Sequence, residues 1–265
     1  MGKLLWMSDI HLNFVRDASF FNAEVKNSVD QYGISHVLVT GDIAESHNVI
    51  PYITDMECAI GIPVHFVLGN HDFYGSSIKK TRESVMHLNY LRRNTGTPIS
   101  STTILIGVDG WGDCRNGDYE NSRLVMSDWL YIDELRIAHG KGSAKLKTAL
   151  QKIADTDARL LACRVKKAIT DGFKRIIIAT HVPPYEGACL YAGRKSTPDG
   201  LCFFSSRILG ECIEPIAKAH TDIDFLWLCG HTHSKVVLHV RENLEVRVAG
   251  SEYYYPTVAG VIDYE

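Results

Sequence analysis

Residues 36–45 read His-Val-Leu-Val-Thr-Gly-Asp-Ile-Ala-Glu, an apolar run followed directly by a glycine and two carboxylates. The run is continuous rather than alternating, which indicates a strand covered on both faces. The same arrangement recurs at residues 4–11, 64–72, 176–184 and 226–233, where Asp, Asn or His follows the apolar residues. Because ligands collect beyond the carboxyl ends of strands in α/β sheets, these five strand ends predict one polar site.

The rest of the chain alternates between strand-like and helix-like patterns before it finishes with antiparallel strands. This order favours an α/β fold with a mixed sheet or two stacked sheets. Helical spacing is clear before Gly33 and before Gly61, where glycine can end a helix. The predicted strands are 4–7, 36–40, 64–68, 103–108, 175–179 and 225–229 with a hairpin at 236–240 and 244–248; the predicted helices are 21–32, 48–60, 124–137, 146–169 as one helix or two, and one starting at 207 with Ser205 or Ser206 as its cap.

Composition narrows the class of protein. The chain has 265 residues, of which 28 are Lys or Arg and 31 are Asp or Glu, for a net charge of −3. No stretch reaches the roughly 18 apolar residues needed to span a membrane. The small net charge does not favour a nucleic-acid surface, although it does not exclude a local one. Seven cysteines without a C-x-x-C pair indicate a reducing compartment, so we expect a cytoplasmic protein. The oligomeric state stays open.

The polar residues at the strand ends have the chemistry of metal ligands. The pairs Asp-x-His at 9–11 and His-x-His at 231–233 have i, i+2 spacing, which in extended backbone puts both side chains on one face. The donors are too many for one four-coordinate zinc ion and suit two metal ions that share a carboxylate. They supply oxygen and imidazole but no thiolate, which favours Mn, Fe or Zn. The seven donors are Asp9, His11, Asp42, Asn70, His181, His231 and His233.

In sequence order, these residues resemble the five motifs of the calcineurin-like metallophosphoesterase superfamily. The resemblance implies a four-layer α/β/β/α sandwich of two mixed β-sheets flanked by helices, with two divalent or trivalent metal ions. It assigns Asp9, His11 and His233 to one metal, and Asn70, His181 and His231 to the other, with Asp42 as the bridge. Glu45 stands where many members have Asp, and Ser46-His47 replaces the Arg-Gly of the protein phosphatases. This departure disfavours a protein-phosphatase activity.

The motifs extend from residue 9 to residue 233, so we expect one domain over residues 1–265. Irregular insertions are expected at about 109–140 and 185–204, near the site. Long irregular loops in compact domains often carry binding residues. The predicted substrate contacts are Asn13, Tyr74, Arg115, Tyr185 and Arg194, followed by Phe73, Trp111, Asp118, Tyr119 and Lys195.

The expected reaction is hydrolysis of a phosphate ester by a metal-bridging hydroxide. His71 is the predicted acid that protonates the leaving alkoxide. Asp72 is predicted to orient His71, or else to cap the helix that follows. The preferred substrate is a small or nucleotide-like phosphodiester. A phosphomonoesterase or a nuclease of the same superfamily, and a non-catalytic scaffold on the same fold, remain alternatives.

Overall fold

The structure is a computed structural model that describes residues 2–265. Two large mixed sheets and one small hairpin contain all the strands of this range. The first sheet has the order β12-β1-β2-β3, and the second has the order β10-β11-β9-β6-β5-β4. The strands are β1 (Lys3–Met7), β2 (His36–Thr40), β3 (Val64–Val67), β4 (Thr97–Pro98), β5 (Thr103–Gly107), β6 (Arg175–Ala179), β7 (Leu190–Tyr191), β8 (Arg194–Lys195), β9 (Asp224–Cys229), β10 (Val236–Arg241), β11 (Leu244–Val248) and β12 (Gly260–Asp263).

Each large sheet has parallel strands at its centre, with an antiparallel strand at one edge of the first sheet and at both edges of the second. In the first sheet, β1, β2 and β3 are parallel and β12 is antiparallel to β1. In the second, β5, β6, β9 and β11 are parallel, while β4 and β10 pair antiparallel at the two edges. The carboxyl ends of the parallel strands therefore meet at one end of each sheet, which is where the predicted polar residues lie.

Helices cover the outer faces of both sheets. They are α1 (Ala18–Tyr32), α2 (Val49–Ile60), α3 (Ile78–Ser84), α4 (Asp128–Tyr131), α5 (Asp133–His139), α6 (Ser143–Thr170), α7 (Pro198–Phe204) and α8 (Arg207–Ala219). The 146–169 pattern is one helix of 28 residues, α6. The 124–137 pattern is two short helices, α4 and α5, because Ile132 adopts an extended backbone between them.

Three layers of apolar side chains hold the sheets and helices together. Successive strand residues point to opposite faces of a sheet. In β1, Leu5 and Met7 therefore pack toward helices α1 and α2, while Leu4 and Trp6 pack toward the second sheet. In β6, Ile177 faces the first sheet, and its neighbours face α6 and α8. The continuous apolar strands are thus buried on both faces. The predicted four-layer sandwich of two mixed sheets flanked by helices is confirmed.

Helix ends are fixed partly as predicted. Gly33 and Gly61 end α1 and α2 with φ of 63° and 75°, a conformation that glycine adopts at little cost. The prediction that Ser205 or Ser206 caps α8 is wrong. The Ser206 side chain makes no capping hydrogen bond, and Asp113 Oδ2 instead accepts from the backbone N–H of Ile208 at 2.8 Å. A residue 95 positions away thus does what a local cap would do.

Among the helices of residues 2–265, none combines the length and the apolar composition that crossing a lipid bilayer requires.

Candidate metal centre

The loops that follow the strands carry the seven predicted donors, which we call the donor cluster: Asp9, His11, Asp42, Asn70, His181, His231 and His233. Eight non-glycine residues of the described chain have positive φ, and five of them are donors. Left-handed backbone is costly for such residues and persists only where the surroundings enforce it, most often at functional sites. These five are Asp9, His11, Asp42, His231 and His233, with φ of 51°, 40°, 53°, 70° and 55°.

Glycines make room for the donors. A Cβ at Gly41 would lie 2.6 Å from both the backbone nitrogen of Gly69 and Nδ1 of His181. A Cβ at Gly69 would collide with the Asp42 carboxylate, and one at Gly230 with that of Asp9. Each of these glycines precedes a donor in sequence, so the backbone can approach the cluster only where no side chain intervenes.

One half of the cluster comprises Asp9, His11, Asp42 and His233. Their ligand-type atoms all lie within 4.8 Å of one another. Nε2 of His233 is 3.3 Å from Oδ1 of Asp9, and Nε2 of His11 is 3.7 Å from Oδ2 of Asp42. The two imidazoles face each other with their Nε2 atoms 3.4 Å apart. This group could hold a metal ion.

The other half comprises Asn70, His181 and His231, and it shares Asp42 with the first. Nε2 of His181 lies 3.3 Å from Oδ2 of Asp42, 3.1 Å from Oδ1 of Asn70 and 3.2 Å from Nδ1 of His231. Nδ1 of His181 is 2.9 Å from the carbonyl oxygen of Thr40 and can donate to it. When the imidazole is neutral, this second bond leaves Nε2 with a lone pair directed at the cluster, as metal-ligating histidines have.

The electrostatics of the cluster fit cations. Burial lowers the pKa of His11 to about 4 and that of His231 to about 3, so both imidazoles are neutral at pH 7. Burial also acts to lower the pKa of His181, but the Asp42 carboxylate outweighs it and raises that pKa to about 10. In each facing pair one pKa is lowered and the other is raised, His11 against His233 and His231 against His181. Each pair can therefore share one proton, whereas a cation would accept a lone pair from each imidazole. His231 Nε2 is buried and has no hydrogen-bond partner in the described chain.

The carboxylates of the cluster are ionised. Burial alone would raise the pKa of Asp9, but the hydrogen bond to His233 and the charge of His181 hold it below the ordinary value of 3.8. Burial acts in the same direction on Asp42, and the neighbouring histidines hold its pKa well below 3.8. Two ionised carboxylates beside four imidazoles form an oxygen and nitrogen donor set that suits a metal ion, whose binding would release the proton of His181.

The Asn70 amide is oriented by a residue that the sequence did not indicate. Nδ2 of Asn70 donates to Oδ1 of Asp128 at 2.9 Å and to the Tyr74 hydroxyl oxygen at 3.1 Å. The Tyr74 hydroxyl itself donates to the same Asp128 oxygen at 2.8 Å. Because a carboxylate only accepts, the NH2 group must face Asp128, and the amide oxygen must face His181. Asp128 lies in α4, within the first predicted insertion.

His71 and Asp72 have different surroundings. The His71 ring lies 4.7 Å from the His11 ring between centroids, and its backbone N–H donates to Oδ1 of Asp42 at 2.9 Å. Asp72 does not contact the His71 ring. Its carboxylate accepts from the backbone N–H groups of Ile43 and Ala44, both at 2.9 Å, and of Gly69 at 2.8 Å. The prediction that Asp72 orients His71, or caps a helix, is therefore corrected: Asp72 ties together the two loops that carry Asp42 and Asn70.

A cavity of about 320 Å³ opens over the donor cluster. Its wall combines polar residues of the cluster with apolar and aromatic side chains, and no Lys or Arg lines it. The lining residues are Asp42, Asn70, His71, Tyr74, Val125, Met126, Ser127, Leu190, Tyr191, Phe204, His231, Thr232, His233 and Tyr253.

The predicted substrate contacts divide. Tyr74 lines this cavity, and Arg194 lines a neighbouring one. Arg115 lies elsewhere and is held by Asp113 and Asp155, at 3.2 and 2.7 Å. The Tyr185 ring packs 6.5 Å from the Trp227 ring in the second core, and Asn13 is absent from the cavity wall. Arg115, Tyr185 and Asn13 do not line this cavity, so their predicted contact with substrate gains no support from its wall and stays a prediction.

Tyr253 is a further residue of the site, which no sequence motif indicated. Its ring lies 4.6 Å from the ring of His11 and 4.9 Å from that of His233. The Ser251 hydroxyl, two residues earlier, donates to the backbone carbonyl oxygen of Asp9 at 2.6 Å and fixes this loop on the cluster. Residues 253–255 are three consecutive tyrosines, each at least 40% exposed, and that unusual run was the available signal.

Comparisons with known proteins agree with this geometry. The family described as calcineurin-like phosphoesterase matches residues 2–235. A dimetal phosphatase from Danio rerio has a similar structure, with a TM-score of 0.63 and 14% sequence identity, over 96% of this chain and 89% of that one. The phosphopantetheinyl hydrolase of Mycobacterium tuberculosis gives a TM-score of 0.60 at 11% identity, over 96% and 90% of the two chains. No curated protein sequence matches.

Proposed function

Because the chain belongs to the calcineurin-like phosphoesterase family, we propose that it is a dinuclear metal-dependent phosphodiesterase that hydrolyses a small phosphate diester. In this proposal Asp9, His11 and His233 hold one metal ion, Asn70, His181 and His231 hold the other, and Asp42 bridges the two. The metals are Mn, Fe or Zn, the ions that prefer this mixture of carboxylate, amide and imidazole.

The observation that carries the proposal is the position of Asp42 between two groups of donors. Its Oδ2 atom lies 3.7 Å from Nε2 of His11 on one side and 3.3 Å from Nε2 of His181 on the other. A single carboxylate oxygen that reaches both groups is the arrangement that two neighbouring cations require. The cations would lower the pKa of water toward neutrality and neutralise charge on the phosphoryl oxygens.

The residues of the chain have distinct tasks in this proposal. The Asn70 amide, fixed by Asp128, presents its oxygen to the cluster. Asp42 holds the backbone of His71 through its other oxygen, Oδ1, so the imidazole stands at a fixed place in the cavity wall. His71 donates a proton to the leaving alkoxide oxygen as the ester bond breaks. Tyr74, Phe204 and Tyr253 add aromatic surface to the cavity wall beside the donors, which reduces the access of water to the cluster.

The cavity wall favours a diester over a monoester. A phosphate monoester carries about two negative charges at neutral pH, and enzymes commonly grip such a group with Arg or Lys. No Arg or Lys lines this cavity. A diester carries one charge and two organic groups, which match the wall of Leu190, Tyr191, Phe204 and Tyr253. A small substrate also suits a cavity of about 320 Å³ better than a nucleic-acid duplex does.

The test is hydrolysis of bis-p-nitrophenyl phosphate and of p-nitrophenyl phosphate by protein loaded with Mn, together with metal analysis. We expect two metal ions per chain and a higher kcat/KM for the diester. A higher kcat/KM for the monoester would replace diesterase by monoesterase activity. Two bound metals without release from either compound would favour the scaffold alternative.

The role of His71 has its own test. We expect His71→Ala to lower kcat by about 10²–10⁴-fold, the usual contribution of a general acid, while bound metal stays near two ions per chain. His87→Ala is the matched control, because His87 is an exposed histidine outside the cavity wall. Loss of metal together with activity would make His71 a structural residue or a ligand.

A further inference from the structure

A second cavity, of about 660 Å³, adjoins the one over the donor cluster. The two cavities share Tyr191 and Phe204 in their walls, so these aromatic side chains stand at the passage between them. Consecutive residues also contribute to both walls, since Val125 lines the first cavity and Leu124 lines the second. Together they form one cleft with two compartments.

The two compartments differ in charge. The compartment over the donor cluster is lined by one carboxylate, Asp42, and by three histidines, but by no Lys or Arg. The second is lined by Arg194 and Lys195, and no Asp or Glu lines it. Within residues 2–265, neither cation forms an ion pair, and both residues are exposed. The second compartment is therefore an electropositive region beside the donor cluster.

The hairpin β7–β8 holds the two cations in place. Tyr191 pairs with Arg194, and Leu190 pairs with Lys195, across the antiparallel strands. The connecting residues Ala192 and Gly193 have φ of 48° and 72°, and positive φ at both central residues is typical of the tight two-residue turns of hairpins. Such turns fix the register of a hairpin. The cations are thus placed opposite the side chains that line the compartment over the donors.

A buried polar atom also belongs to the second compartment. Ser196 follows the hairpin, lines this compartment and is only 9% exposed. Its backbone N–H donates to the carbonyl oxygen of Cys189 at 3.1 Å, but its Oγ has no hydrogen-bond partner in the described chain. A buried hydroxyl without a partner is costly, and a ligand oxygen would satisfy it.

We propose that this second compartment binds a distal anionic group of the substrate, a phosphate or a carboxylate, through Arg194, Lys195 and the Ser196 hydroxyl. The substrate would then be a phosphodiester whose scissile phosphorus lies at the donor cluster, whose apolar or planar part passes Tyr191 and Phe204, and whose far end is charged. This inference rests on the proposed hydrolase function and specifies its substrate class.

The kinetic test compares two p-nitrophenyl alkyl phosphodiesters that differ only at the far end of the alkyl arm, a phosphate against a hydroxyl. Two exposed cations give the anionic arm an advantage in kcat/KM of about tenfold for the wild type. We expect Arg194→Gln/Lys195→Gln to reduce this ratio to about one to two. Lys79→Gln/Lys80→Gln removes the same charge from the exposed part of α3 and should keep the ratio. An unchanged ratio in the first variant would overturn the proposal.

A binding measurement separates this proposal from the hydrolase function. Calorimetry with Mn-loaded protein would compare α,ω-alkanediol bisphosphates with alkyl monophosphates of the same length, and with ω-carboxyalkyl phosphates to distinguish the two anions. We expect about tenfold tighter binding of the doubly charged ligands, weakened by salt. Such binding without any hydrolysis would support the anion compartment and contradict the hydrolase function. Hydrolysis of neutral-arm diesters, together with equal affinities for the singly and doubly charged ligands, would support the hydrolase function and contradict the anion compartment.

Discussion

Two clusters of charged residues are buried in this protein, and they are balanced in opposite ways. One is the donor cluster. The other, which we call the arginine–aspartate network, consists of Arg82, Arg92, Asp109 and Asp157. In the network, Nε of Arg82 lies 2.7 Å from Oδ2 of Asp109, and Nη2 of Arg92 lies 2.9 Å from Oδ1 of Asp157. Two carboxylates pair with two guanidinium groups there, so the negative charges are balanced by positive charges of the protein itself.

The donor cluster has two carboxylates but no Lys or Arg beside them. Asp9 and Asp42 face imidazoles, of which His11 and His231 are neutral at pH 7 because burial lowers their pKa. Five donors adopt left-handed backbone, whereas no residue of the arginine–aspartate network does. A buried acidic cluster that contains no Lys or Arg, but only imidazoles that can give up their protons, on a left-handed backbone, is arranged to bind cations.

The largest expected effect is on the donor cluster. Asp42→Asn weakens the charge that two cations would share, so we expect kcat/KM to fall by on the order of 10³-fold or more. Metal content should fall with it, while the melting temperature of the metal-free protein changes little. Near-normal turnover with two bound metals would contradict the bridging role of Asp42 and the proposal that the donor cluster, unlike the arginine–aspartate network, is arranged to bind cations.

The next effect concerns the arginine–aspartate network. Asp157→Asn leaves two partly buried guanidinium groups, 16% and 19% exposed, short of a carboxylate. Because breaking a fully buried pair costs about 3–5 kcal/mol, we expect about 3 kcal/mol of unfolding free energy here. Metal content should stay at the wild-type level. Asp171→Asn is the control, because Asp171 pairs with Lys167 at the exposed end of α6 and should cost under about 0.5 kcal/mol. Denaturant unfolding measures both; equal costs would mean that the network is not structural.

A third, smaller effect tests the orientation of Asn70. Asp128→Asn offers Asn70 an amide in place of a carboxylate, so the Asn70 amide can rotate and present its NH2 to the cluster. We expect metal affinity or kcat/KM to fall about 10–100-fold, as for other residues that orient metal ligands. Tyr74→Phe keeps the carboxylate and should cost less. A metal titration that gives wild-type affinity for Asp128→Asn would remove Asp128 from the site.

The smallest effect concerns two further histidines, the partly buried His36 and the buried His65, which lie outside both clusters. Nδ1 of His36 lies 3.2 Å from Nε2 of His65, and burial lowers the pKa of His65 to about 4. In the unfolded chain, His65 takes up a proton near pH 6.5, whereas in the folded protein it does so only near pH 4. The folded state is therefore unaffected by this group above pH 6.5 and is progressively destabilised by it as pH falls from 6.5 toward 4. Between pH 7 and pH 5, His65→Gln should remove up to about 2 kcal/mol of this acid sensitivity. Equal pH slopes of unfolding in the two proteins would contradict it.

The strand ends could be predicted because their signal is local. At residues 36–42 and 226–233 an apolar run, a glycine and a donor follow one another, and the structure brings all seven such donors together. The edge strands β4 and β12 were not predicted. β4 has two residues, and β12 is a short strand without an alternating pattern, so each depends on the partner strand beside it.

The missed and misplaced residues share one cause. Asp128 reaches Asn70 across 58 positions, and Arg115 is bound to Asp155 across 40, so neither relation has a sequence pattern. Asp72 was predicted to act on its neighbour His71, but it binds backbone nitrogens 28 and 29 positions earlier. Polar side chains choose partners by distance in space, which periodicity does not encode.

The contact between Asp9 and His231 has a consequence for how the centre comes into existence. The backbone N–H of His231 donates to Asp9, 222 positions earlier in the chain. During synthesis at about 5–20 residues per second, the first donor therefore waits at least about ten seconds for its partners. Such distant contacts also slow folding. Metal uptake at full affinity is thus a late event, possible only once both sheets have docked.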